Sequence, residues 1–319
     1  MAKKISLFLC SVILLLMLPI TGCSDNTDVK DNGKINIVST IFPQYDFARE
    51  IVGDYANLDL LIAPGGEAHT YEPTPKDIIS VEEADVFLYI GGESEKWVEK
   101  ILDSVSTKDI QIVKLIDSVE TICIEEEDTH NHSGEEHHHS IDEHIWTSPL
   151  NAIKMVNTIC DAICKADNSN QTIYTNNAKA YIEKLNKLDT TFKEIVANSQ
   201  KKELVFGDRF PLIYFTQEYG LKYYSAFPGC SSETEPSAST LAWLSKKIKE
   251  ESVPVVLKIE LSNSTVADTL ASETNTKVMT FYSCHNLTKE QFDNGENYIS
   301  MMNKNIETLK IALLYNGVD

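Results

Sequence analysis

Apolar positions follow two alternating rhythms along this chain. Short apolar or β-branched runs bounded by Gly, Pro or Asp fall at residues 35–40 (INIVST), 58–63 (LDLLIA), 85–90 (DVFLYI) and 111–115 (QIVKL), and each reads as a strand. Between them, spacings of three and four predict helices over 45–52, 75–83 behind a Thr74 cap, and 97–104. The alternation returns later, with strands at 203–206, 222–227, 254–260 and 277–282 and helices at 211–219, 239–250, 265–274 and 298–315. Strand, helix, strand in repetition means a parallel sheet covered on both faces.

Two longer helical patterns divide these halves. One covers 149–166, with Ser148 placed to cap it and Pro149 in its first turn. The other covers 171–199, where Tyr181, Leu185, Leu188, Phe192 and Ile195 form an apolar stripe on an otherwise polar segment. The expected fold class is therefore α/β, with two (β/α)4-type lobes of parallel sheet joined by a single long backbone helix. The expected boundaries are an N-terminal lobe over 35–170, a linking helix over 171–200 and a C-terminal lobe over 201–319.

Residues 125–143 break the pattern. His130, His132, His137, His138 and His139 are interleaved there with acidic residues, without apolar periodicity. Such a tract cannot build a core, and its imidazoles and carboxylates suit a loop that collects zinc-like cations. His144 follows in ordered-looking sequence, Asp142-Glu143-His144-Ile145-Trp146.

The first 22 residues combine Lys3 and Lys4, an apolar run too short for a comfortable membrane span, and Ile20-Thr21-Gly22 before Cys23. This resembles a bacterial lipoprotein signal, which would make Cys23 the lipidated first residue, followed by a polar tether over 23–34. With 28 Lys+Arg against 48 Asp+Glu, a formal charge of -20, nucleic acid is a poor partner and cations are good ones. Of the seven cysteines, Cys160 and Cys164 lie on the apolar face of a helix, while Cys230 and Cys284 follow predicted strands and form the candidate disulfide.

In open α/β sheets, ligands bind beyond the carboxyl ends of the strands. His69, Asp208, Glu260 and His285 all follow strand ends, from both halves, and His144 lies between the halves. Three histidines with a carboxylate would suit zinc, and more oxygen would shift the preference toward manganese. Asp208 could ligate or pair with Arg209; Glu260 could ligate, cap a helix or bridge to that arginine. No Gly-x-Ser-x-Gly elbow, Walker-type glycine loop or His-Glu-x-x-His motif is present, so nothing favours an enzyme over a binding protein.

The segments GGEAHTYEPTPKD, DEHIWTSP after an acidic His-rich run, RFPLIYFTQEYGL, KIELSNSTVADTLASETNTKV and ENYISMMNKNIETLKIAL together resemble the metal-binding lipoproteins that feed zinc or manganese ABC importers. The resemblance spans nearly the whole mature chain. It implies a monomer held at the extracytoplasmic face by lipid, a metal buried between two lobes, and delivery to a membrane permease. His69 matches the family's first ligand and His144 its second, and His285 stands where a late aspartate is usual. Arg209 occupies the place of the third, and arginine cannot ligate, leaving Asp208, Glu260 or water for that role. The His-rich loop points to zinc over manganese. A zinc hydrolase and a surface adhesin are the rival classes.

Overall fold

The structure is a computed structural model describing residues 33–124, 140–227, 229 and 235–317. The expected signal segment, Cys23, most of the expected tether, the histidines at 130–139 and Cys230 lie outside the described residues. No described helix is long and apolar enough to cross a membrane.

In the first lobe, β1 (Asn36–Ser39), β2 (Asn57–Leu60), β3 (Val86–Tyr89) and β4 (Gln111–Lys114) form a parallel sheet in the order β2-β1-β3-β4. The central strands β1 and β3 bury consecutive residues, as strands covered on both faces must, while the edge strands alternate or open to solvent. α1 (Phe42–Val52), α2 (Pro75–Glu82) and α3 (Trp97–Ser104) fill the gaps. Proline belongs comfortably in a first turn, so α1 starts at Phe42, around Pro43, ahead of the expected position 45. Thr74 caps α2 in a reciprocal box with Asp77.

A two-stranded hairpin absent from the sequence reading, β5 (Cys123–Ile124) with β6 (Ser140–Ile141), brings together the two ends of the His-rich segment. After α4 (Pro149–Ala166), capped by Ser148, comes α5 (Gln171–Ala197), whose 27 residues span about 40 Å at 1.5 Å per residue.

The second lobe repeats the first. Here β7 (Glu203–Phe206), β8 (Lys222–Ser225), β9 (Val255–Lys258) and β10 (Lys277–Thr280) pair in parallel as β8-β7-β9-β10, again second, first, third, fourth. α6 (Ile213–Tyr219), α7 (Ala238–Glu250), α8 (Thr265–Thr274), the short α9 (Lys289–Asp293) and α10 (Tyr298–Ala312) complete it. Gly207 is required after β7, since a Cβ there would lie 2.5 Å from the Ala267 backbone in α8.

One buried core runs through both lobes. On α5, Tyr181 packs beside Phe47 of α1 with ring centroids 5.9 Å apart, while Phe192 meets Phe215 at 5.0 Å and Tyr219 at 5.5 Å in α6. α10 returns to the first lobe. The Tyr298 N–H donates to Asp46 Oδ2 (2.9 Å), its hydroxyl donates to the Trp146 carbonyl (2.7 Å), and its ring lies 5.0 Å from that of Phe47.

Glu95 is enclosed beside β3, accepting from the Ile90 and Gly91 N–H groups and the Thr40 hydroxyl. Burial pushes its pKa up to about 7 against those bonds, and likewise pushes Asp46 up to about 6 despite Arg49. A carboxyl with a raised folded pKa contributes stability that is present below its unfolded value and lost as pH rises through the folded one. Glu95→Gln should therefore gain on wild type, by up to about 3 kcal/mol, between pH 5 and 8 in urea unfolding; an unchanged difference would mean that Glu95 is already ionised at pH 5.

Candidate metal centre

His69, His144 and His285 converge. One ring nitrogen from each lies within 4.8 Å of the others, although the residues come from the loop after β2, the segment before α4 and the loop after β10. Tetrahedral zinc at 2.0 to 2.1 Å from nitrogen would draw such atoms to about 3.4 Å apart, so the trio is assembled but slightly open.

Each imidazole has its own support. His144 is 1% exposed, and Asp142 Oδ1 sits 3.0 Å from its Nδ1 while also accepting its backbone N–H at 2.8 Å. That contact engages Nδ1 with a carboxylate, an arrangement that orients the ring. His69 lies at the rim, its Nδ1 4.0 Å from Oε1 of Glu143, whose side chain is 8% exposed. Glu143 Oε2 accepts from the Ser94 N–H at 3.0 Å. There is room for it only because residue 92 is glycine: a Cβ there would lie 2.0 Å from Glu143 Oε2 and 2.3 Å from its Cβ. His285 Nε2 is buried without a hydrogen-bond partner among the described residues, a costly state for a ring nitrogen unless something else occupies it. Burial, then His144 and His69, hold its pKa well below the usual histidine range, so it is a neutral donor.

Neither expected carboxylate joins this group. Asp208 is turned to structural work: Oδ1 accepts the Arg209 N–H (2.8 Å), and Oδ2 accepts the Ile259 N–H (3.0 Å) and the Ser262 hydroxyl. The expectation of Asp208 as a ligand is corrected accordingly, because fixing the chain ends of β7 and β9 already takes both its oxygens. Glu260 braces the His285 loop, receiving the Ser283 N–H and hydroxyl at 2.7 Å each and the His285 N–H at 3.1 Å. Burial raises its pKa, and those donors oppose the rise.

Of the expected Cys230–Cys284 pair, Cys230 lies outside the described residues. Cys284 is a free thiol, fully buried in the core, its pKa pushed well up by burial, and its backbone is left-handed at φ 60°.

Contacts that sequence reading did not anticipate hold the lobes around the trio. Asn286 Nδ2 donates to the Gly66 carbonyl (2.8 Å), tying the loop that carries His69 to the one that carries His285. The Trp146 indole donates to the Ser283 carbonyl (2.9 Å), and its ring lies 5.3 Å from both His144 and His285. Tyr214 of α6 donates to the Asp142 carbonyl (2.8 Å) and accepts the Ile122 N–H (3.1 Å), gripping the foot of the hairpin. The space enclosed is about 110 Å³, lined by the three histidines together with Arg209, Glu67 and Glu260 among others.

A family model described as ZnuA, zinc-uptake complex component A periplasmic, matches residues 37–312. The chain belongs to the ZnuA family. It is 38% identical over 324 residues to the high-affinity zinc uptake system protein ZnuA of Bacillus subtilis, covering 98% of this chain and 99% of that protein. It is 37% identical over 310 residues to the zinc-binding lipoprotein AdcA of Streptococcus pneumoniae, covering 97% of this chain but 60% of that relative. Among solved structures, the Zn(II)-bound ZnuA-like domain of the same AdcA superposes with a TM-score of 0.71 at 34% identity, over 88% of this chain and 99% of that one. The ZnuA-type fold thus carries the repeated lobes and the long helix described above.

Within this ZnuA-family site, Asn286→Ala should remove the clip between the two histidine loops, leaving the Gly66 carbonyl without its donor. A loss of about 1–2 kcal/mol is expected in metal-free thermal unfolding. A change below about 0.3 kcal/mol would mean that water replaces the amide.

Proposed function

We propose that this chain is an extracytoplasmic zinc-capture protein, anchored by lipid on Cys23, that holds Zn2+ between its lobes with His69, His144 and His285 and passes it to an ABC permease. The observation that carries this reading is the convergence of three imidazoles, one of them with a buried nitrogen that has no partner among the described residues. Nitrogen-only donors favour zinc over manganese, which prefers oxygen. The printed names of the relatives, a zinc uptake protein and a zinc-binding lipoprotein, support the same cargo. The histidines at 130–139 would gather metal rather than hold it tightly. The shared core and the α5 strut favour small loop movements on loading over wide hinge closure.

Calorimetry with zinc and manganese tests the reading. One tight zinc site is expected, weakened by orders of magnitude in His285→Ala, with manganese much weaker; several weak sites unaffected by that substitution would defeat it. Deleting residues 125–139 should slow zinc uptake at low supply yet keep the tight site, and its loss in that deletion would overturn the division of labour. Affinity should fall as pH drops below about 6.5, because protons compete for imidazole. His285 is already neutral there, so titrations in buffers of differing ionisation heat should find no more than two protons displaced from the trio.

A further inference from the structure

We infer that the site takes its cation together with a small monocarboxylate, which completes the coordination from outside the chain and is held by Arg209. This rests on the zinc reading above. Among the described residues the converging donors are three imidazoles, and zinc ordinarily takes four ligands.

Among the described residues, the nearby carboxylates are engaged in full or in part. Glu260 and Asp208 spend both oxygens on backbone N–H groups and hydroxyls of the surrounding loops. Asp142 serves His144, Glu143 holds the Ser94 N–H and faces His69, and Glu67 accepts the His69 N–H at 3.3 Å.

Arg209 is the exception. Half-buried, it lines the same space as the three imidazoles, and its guanidinium makes no ion pair or hydrogen bond with any described residue. A permanently charged fork beside a cation site is unfavourable unless an anion lies between the two charges. A carboxylate suits that position best, with one oxygen for the metal and the fork's paired N–H groups for the rest. The enclosed 110 Å³ corresponds to several waters, enough for an ion and an acetate-sized partner.

The test uses the full chain in detergent, loaded with Co2+ for its visible spectrum and with Zn2+ for competition against a chelating dye, with and without acetate or chloride. Acetate should shift the Co2+ bands of wild type and tighten Zn2+ binding by about tenfold, the scale of one charge-assisted contact. Arg209→Gln should lose both responses, and Arg209→Lys should keep a reduced one. Bands indifferent to acetate, a response equal in Arg209→Gln, or a shift with chloride but none with acetate would each overturn the inference. If wild type holds no tight Zn2+ under any condition, the zinc reading fails first.

Discussion

The buried seam between the lobes is the constraint on which the rest of this molecule depends. Tyr298 reaches from α10 to both Asp46 and the Trp146 carbonyl, and the Trp146 indole reaches in turn to Ser283. Each of these donors is buried, so each must be satisfied at its position or cost free energy comparable to a lost bond. The seam thereby fixes the distance between His144 and His285 before any ion arrives. Of the three imidazoles only that of His69, on an exposed loop, has room to adjust.

Electrostatics divides the acidic residues into two groups. Those facing the trio are occupied by N–H and hydroxyl donors and act on the histidines indirectly, by setting ring orientation or loop position. Those on the outside give the chain its formal charge of -20, a field that would concentrate cations near the mouth of the site without binding them. A histidine trio inside an anionic shell separates attraction from retention.

Much of the architecture was legible in the sequence because parallel sheets write themselves as short apolar runs between helical ones. The histidines at 69 and 285 could be singled out because strand ends are where such folds place ligands, and His144 because it stands in ordered-looking sequence between the two halves. Less visible were contacts that join positions far apart in the chain, such as Asn286 with Gly66 or Trp146 with Ser283, since nothing local distinguishes these residues from ordinary loop and core members. Asp208 misled for a related reason: a carboxylate at a strand end can serve a metal or the backbone, and only the positions of Ile259 and Ser262 decide between them. Cys284 follows a predicted strand, and only the folded chain shows that its loop turns into the core.

Gly92 and Glu143 carry a further implication. The clash that a methyl group at 92 would produce involves the Glu143 Cβ as well as its carboxylate, so no rotation of the glutamate relieves it. The two positions are therefore tied in descent: a lineage could gain a side chain at 92 only after, or together with, a reduction at 143, and with that reduction it would lose the acidic neighbour of His69. Variation at an unremarkable loop glycine is thereby limited by the surroundings of a histidine contributed by a different segment of the chain.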